Sequence, residues 1–252
     1  MNKKKIRVSS ILLNLLCIAL CAVIAAPLLW IILNSFKTNQ EMFMDSLALP
    51  EVWQFGNYAK AWSMGLYRYF GNSVLVSAVA LVGILVLASF LAYGLTRFRA
   101  KGSNIIFIIV LGGMALSEQI ALVPLYNILQ ALHLYDTYAA VILPYIAFRI
   151  PFTVFLMRAY FITIPEELEE AAVMDGYNSL QIFTKIIVPI SNPIFASCAI
   201  VNLNFVWNEF LFANVFLSNK AIQTIPIGLM TFKGDLKVDY TTTLAGLIIA
   251  SL

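Results

Sequence analysis

The sequence predicts an all-α protein that crosses a membrane several times, and three observations carry that expectation. Hydrophobic residues make up 61% of the chain and charged residues 12%, with a mean hydropathy of +0.87. A soluble domain carries about 25% charged and about 45–50% apolar residues. The excess is too large for a water-facing surface, and a bilayer is its natural solvent. Secondly, five segments each reach the roughly 20 apolar residues that a helix needs to cross the hydrocarbon core. Thirdly, basic residues gather beside two of those segments, as they do on the cytoplasmic side of membrane proteins. The net charge of +3 is small and scattered, so nothing argues for a nucleic-acid partner.

The first span is residues 11–33. It exceeds a signal-peptide core of roughly 7–15 residues, and Leu20 is too large for a lipoprotein cleavage site before Cys21. A retained anchor is expected, preceded by a cytoplasmic N-terminus over 1–10 that contains Lys3, Lys4, Lys5 and Arg7. The second span, 71–96, ends in Arg97, Arg99 and Lys101. Two crossings separate these basic clusters, so both fall on the cytoplasmic side. Spans 104–125 and 138–161 then bring residues 162–190 back to the cytoplasm, and 192–217 forms a fifth span.

A sixth apolar run begins near Thr241 and is still hydrophobic at Leu252. As a helix it rises only about 18 Å, too little to cross, so the natural chain is expected to continue. Residues 11–252 thus read as one transmembrane domain, with loops 34–70 and 218–240 facing outward. Pro27, Pro124, Pro144, Pro151 and Pro193 predict kinks, and Gly112–Gly113 predicts either close helix packing or a hinge. Cys17, Cys21 and Cys198 read as buried small hydrophobes, and His133 as a surface histidine.

One stretch breaks the pattern. Residues 166–175 hold five acids, Glu166, Glu167, Glu169, Glu170 and Asp175, between two hydrophobic spans. Thr163 and Glu166 have capping-box spacing, with Pro165 in the first turn. The glutamates then load the positive end of a helix dipole with negative charge. Gly176 is the expected stop, because glycine accepts the left-handed backbone that ends helices. Asn178 or Ser179 can cap a second, amphipathic helix that runs through "LQIFTKII" to Pro189. The small Ala171 and Ala172 would let another protein's surface approach closely. A solvated acidic loop would look the same from composition alone.

The same stretch, "EAAVMDGYNSLQIFTKIIVP", fits the pattern Glu-Ala-Ala, three residues, Gly, nine residues, Ile, one residue, Leu, Pro. Glu170, Ala171, Ala172, Gly176, Ile186 and Pro189 match it, with Val188 where leucine is usual. It resembles the coupling loop of the membrane-spanning subunits of binding-protein-dependent ABC importers. "IPEELEEAAVMDG", "VPLYNILQALHLYDTYAAVILPY" and "VWNEFLFA" resemble the carbohydrate-uptake branch, the maltose-type six-span permease in particular, from about residue 70 onward.

The resemblance implies a type I ABC importer transmembrane fold and a multi-pass subunit of a prokaryotic cytoplasmic membrane. It implies that Glu169, Glu170, Ala171, Ala172, Asp175 and Gly176 dock on a cytoplasmic ATPase. It further implies two ATPase subunits that bind ATP and Mg, a second and distinct permease subunit, and an extracytoplasmic solute-binding protein. This chain itself would bind no cofactor and catalyse nothing. The outer loop 218–240 is similar to a segment that reaches the solute-binding protein, which makes Gln223, Thr224 and Thr231 candidates, although a plain surface loop reads equally well.

Ionisable residues inside spans are candidates for a substrate path, since a mid-bilayer charge costs at least ~2.5–3.5 kcal/mol. Glu118, Arg149 and Glu209 qualify. Arg149 is expected to pair with Glu118 or Glu209, or to face a wet cavity. In the fifth span Asn204 and Asn208 share one helix face, and Asn202 and Glu209 another. These amides and Trp207 would either contact a sugar or hold helices together. An ion-coupled secondary transporter using Glu118, Arg149 and Glu209 is the alternative reading.

Overall fold

The computed structural model describes residues 8–98, 102–231 and 239–251. In chain order, the long apolar helix α1 spans Val8–Ser35, followed by two short helices, α2 Asn39–Met44 and α3 Gly56–Ala61. A π-turn over Trp62–Leu66 leads into α4, Tyr67–Arg97. Helices α5 Ser103–Gly112, α6 Glu118–Ala131 and α7 Ala139–Phe161 follow. The acidic stretch forms α8, Glu167–Met174. Helix α9, Ser179–Ile182, continues through a second π-turn into α10, Val188–Ile190. The chain ends with α11 Asn192–Asn208, α12 Leu211–Phe216, α13 Ile225–Thr231 and α14 Tyr240–Ser251.

Three helices are long and apolar enough to cross a membrane, and five spans result if each of two bent helix pairs counts as one. The multi-span expectation therefore holds, but two of the expected spans are broken. Residues 104–125 do not form one rod: α5 and α6 meet at 98°. The break lies just past Gly112–Gly113, where Leu116 and Ser117 turn extended. Gly113 packs closely on α7, where an added Cβ would lie 3.1 Å from Cγ of Pro151 and the ring would have to shift by a few tenths of an ångström. The fifth span, expected over 192–217, stops at Asn208, and its extended residue Glu209 precedes the separate helix α12. By contrast, α7 runs as one helix through Pro144 and Pro151.

The chain divides into two compact units, residues 1–67 with 228–252, and residues 68–227. In the first unit α1 keeps its apolar side chains outward, as Val23 (71% exposed) illustrates. Cys17 and Cys21 are exposed on it, which corrects their reading as buried residues. A helix that is apolar all round is suited to lipid rather than water. Residues 36–58 close on themselves through Gln54 N–H to Phe36 O (2.8 Å) and Asn57 Nδ2 to Ser35 O and Lys37 O. Helix α14 is anchored at its start by Asp239, whose carboxylate accepts from Lys60 Nζ (2.5 Å), Asn39 Nδ2 (3.0 Å) and Thr242 N (3.1 Å).

The second unit is built on α4 and α7. Along α4 the inward positions Ser73, Ser77, Ala80, Ile84, Ala88 and Ala92 recur every three to four residues, the period of one helix face, and all but Ile84 are small. Bulky Val79, Val82, Leu87 and Phe90 point out. Small-inside, large-outside patterning lets backbones approach within a bilayer, where lipid is as apolar as leucine. One apolar cluster joins Val76, Val141, Tyr145, Phe212 and Phe216. A second, at the other end, joins Ala88, Met157, Phe161, Ala172, Phe183 and Ile187, and it seats the acidic segment.

Candidate functional site: the acidic helix and its seat

Helix α8 begins differently from the sequence expectation. No side-chain cap is present at Glu166. Thr163 instead donates its hydroxyl to Tyr160 O (2.7 Å). The reason is local: the chain is still leaving the last turn of α7, and the Tyr160 carbonyl that accepts from Thr163 N–H (2.9 Å) is also within reach of the same residue's hydroxyl. The helix ends as expected. Gly176 has φ of 83°, its N–H reaches Val173 O (3.0 Å), and Tyr177 N–H reaches Ala172 O (3.0 Å). That pair of bonds is the Schellman arrangement, which needs a left-handed residue at this place. Asn178 then opens α9 with a full capping box to Gln181, both bonds at 2.9 Å.

Two residues assigned to the outward surface turn inward. Ala172 is 3% exposed and packs within the apolar cluster. The Glu169 side chain is 16% exposed and bound by Arg97, whose own side chain is 7% exposed. Arg97 Nε lies 2.7 Å from Glu169 Oε1, and Nη1 lies 3.7 Å from Glu166 Oε1. Nη2 donates to Phe161 O (3.1 Å), on the last residue of α7, and to Ile164 O (2.7 Å), in the segment between α7 and α8. Tyr93 OH donates to the second Glu169 oxygen at 3.2 Å. Arg97, read from sequence only as a topology marker, therefore joins α4, the end of α7 and α8. Its position before an acidic loop on the same expected side was the available signal.

What remains exposed is a compact face: Glu170 and Ala171 with Leu168 (42%), Val173 (59%) and Met174 (87%). Asp175 and Gly176 are also exposed. Below the face, Ile182, Phe183 and Ile187 are buried. Each such side chain contributes roughly 1.5–3 kcal/mol relative to exposure to water. Phe183 lies against Phe90 and Tyr93, with ring centroids 4.7 and 4.9 Å away. A cleft of about 540 Å³ opens beside Tyr93, Arg97, Glu166, Glu170, Met174 and Ile182.

The candidate path residues separate into two groups. Arg149 makes no ion pair with Glu118 or Glu209 among the described residues. Its Nε donates to Asn202 Oδ1 (2.8 Å), and its guanidinium lies 4.5 Å from the Phe205 ring centroid. Asn202 is fully buried and donates in turn to Thr153 Oγ1 (3.0 Å). Glu118 sits in the first turn of α6, just past the bend, where a helix dipole favours an anion. Glu209 is 7% exposed and accepts from Phe212 N (2.8 Å), Ala213 N (3.2 Å) and Tyr145 OH (2.5 Å). It starts α12 and ties it to α7.

The other face of α11 is open. Asn204 and Asn208 are exposed, Asn208 Nδ2 donating back to Asn204 O (2.8 Å), and half-buried Trp207 meets Phe70 edge-on at 5.6 Å. The segment after α12 folds inward: Gln223 and Thr224 are 8% and 5% exposed, so both side chains lie against their own chain. The loop is folded down because Asn72 Nδ2 holds Ala221 O and Gln223 O, while Ser73 Oγ accepts from Ile225 N. Thr231 ends α13, and its side chain lies outside the described residues. His133 is exposed, as expected.

A multi-pass helical protein with a rigidly seated, outward-facing acidic helix has the form of a membrane transport subunit. The sequence model described as "Binding-protein-dependent transport system inner membrane component" matches residues 84–252. The chain belongs to that family. It is 45% identical over 228 residues to the probable ABC transporter permease protein YurM of Bacillus subtilis, covering 90% of this chain and 76% of that protein. It is 32% identical over 230 residues to the diacetylchitobiose uptake system permease protein NgcG of Streptomyces coelicolor, covering 90% and 76%. Its fold matches the crystal structure of a bacterial ABC transporter involved in the import of the acidic polysaccharide alginate. That match has a TM-score of 0.83 at 23% identity and covers 100% of this chain and 93% of that one.

Proposed function

We propose that this chain is a membrane-spanning subunit of an ATP-driven importer for a sugar or oligosaccharide, with α8 as the element that docks on a cytoplasmic ATPase. The observation that carries the docking reading is the division of labour within the helix. Glu169 and Ala172 hold it to its own chain, while Glu170, Ala171, Val173 and Met174 remain exposed. An exposed face mixing an acid with apolar side chains suits a protein partner better than water or lipid alone. The sugar class is supported by NgcG, whose name gives diacetylchitobiose as its solute.

In this reading the N-terminus and α8 are cytoplasmic, and two ATPase subunits supply ATP and Mg. A second permease subunit completes the pore, and an extracytoplasmic binding protein delivers the solute. Glu170, Ala171, Asp175 and Gly176 form the docking surface and its turn. Asn204, Asn208 and Trp207 line the route for hydroxyl-rich solutes. An ion-coupled transporter has less support, because Arg149 and Glu209 are engaged by Asn202 and Tyr145 rather than by each other.

The test is uptake of radiolabelled diacetylchitobiose by proteoliposomes holding the chain with its neighbouring gene products. Uptake that requires enclosed ATP and ignores an imposed proton or sodium gradient is expected. Gradient-driven uptake by the chain alone would overturn the reading.

A further inference from the structure

We infer that Arg97 is a positioning residue that makes α8 and α4 move as one body when the ATPase acts; this rests on the docking reading above. The geometry is specific to a planar guanidinium. Three nitrogens of one side chain meet the Glu169 carboxylate, the Glu166 carboxylate, and the carbonyls of Phe161 and Ile164. The head group belongs to the last residue of α4, the carbonyls to the last residue of α7 and the segment that follows it, and the carboxylates to the start of α8.

A joint of this kind transmits displacement because its two ion pairs and two hydrogen bonds reach different parts of the chain at once. A push on α8 cannot be absorbed by rotating one bond, as it could at a single contact. The fork also sits in a shielded place, its side chain 7% exposed, where charge-assisted bonds are less screened than at the surface. Lysine cannot replace it: an ammonium is a point donor on a flexible stem and lacks the fixed fork. Glu169 is backed by Tyr93 OH, which fixes the carboxylate's second oxygen to α4 as well. The exposed Glu170 has no such tie among the described residues, which leaves it available to the partner.

The test uses the full complex with its ATPase, in a chain whose Cys17, Cys21 and Cys198 are replaced. Nitroxide labels are placed through Val86→Cys on α4 and Tyr177→Cys, whose N–H closes α8 onto Ala172 O, and the distance between them is read by pulsed electron resonance. Measurements are made without nucleotide and after trapping with ATP and vanadate. In the otherwise wild-type chain the distribution is expected to stay unchanged on trapping. In Arg97→Lys, with the ATPase still co-purifying, it is expected to shift or broaden on trapping. A loss of stability alone would not produce that nucleotide dependence.

Should Arg97→Lys fail to reach the membrane, Glu169→Gln is read in the same way, with a smaller broadening expected because the carbonyl bonds survive. Distributions that stay unchanged on trapping in the variants overturn the inference, as does a shift in the wild-type chain. Absence of any ATPase from the wild-type complex overturns the docking reading itself, and the inference with it.

Discussion

The guanidinium of Arg97 lies 2.7 Å from the carboxylate of Glu169, and both side chains are turned away from solvent at the base of α8. Removing either partner leaves the other charge poorly solvated, so the two truncations are expected to be strongly non-additive. Arg97→Ala and Glu169→Ala should couple by about 0.5–3 kcal/mol, the range for residues that share one salt-bridge network. Unfolding of the single and double variants in mixed micelles measures this. Additive losses would mean that the pair contributes nothing as a pair.

Gly176 yields a second prediction. Its φ of 83° is unfavourable for side chains with a Cβ, yet nothing lies within 4 Å of where that Cβ would sit. The cost of substitution is therefore backbone strain alone, about 1–2 kcal/mol. Gly176→Val should stay in the membrane while ATP hydrolysis loses its link to uptake. Gly176→Asn should be milder, because asparagine tolerates the left-handed region. Normal ATP use per solute in Gly176→Val would count against the turn's role in docking.

The two faces of α11 should respond differently. Glu209→Ala strands the N–H groups of Phe212 and Ala213 and the Tyr145 hydroxyl. Each unpaired group costs about 1–3 kcal/mol, so a clear fall in thermal stability in detergent is expected. Asn204→Ala and Asn208→Ala alter exposed side chains and should leave stability within about 0.5 kcal/mol of wild type. Their effect is expected in solute uptake. Equal destabilisation by all three would erase the distinction between a buried tie and an open path.

A pH dependence follows at Asp239. Burial pushes its carboxyl up, but bonds from Lys60, Thr242 and Asn39 outweigh this and hold it well below its ordinary value of 3.8. A depressed folded value means that the anchor of α14 is fully stabilising above the ordinary value. It weakens as pH falls through the lower folded value, in strongly acidic solution. Asp239→Asn should remove that acid-sensitive component, seen as a flatter melting temperature against pH below about 4. A wild-type acid profile in the variant would assign the sensitivity to other carboxylates.

The spans were legible because hydrophobic length is a strong signal, and Gly176 and Asn178 because helix ends depend on local chemistry. The broken spans were not. The bend after Gly113 and the stop at Glu209 depend on contacts with α7, through Pro151 and Tyr145, which hydropathy does not encode. The inward turn of Glu169 was hidden for the same reason. Five acids in ten residues look equivalent until Arg97, about seventy residues away in sequence, selects one of them. Gln223 and Thr224 likewise looked exposed in a loop, and only Asn72 and Ser73 explain why that loop lies down.

The most direct measurement is co-purification of the chain, in detergent, with the products of its neighbouring genes. A nucleotide-binding ATPase and a second permease subunit are expected in the complex, and the ATPase alone should be lost when Glu167 and Glu170 are replaced by lysine. An ATPase that stays bound to the charge-reversed chain would contradict docking through α8. So would a wild-type chain that purifies by itself and still transports.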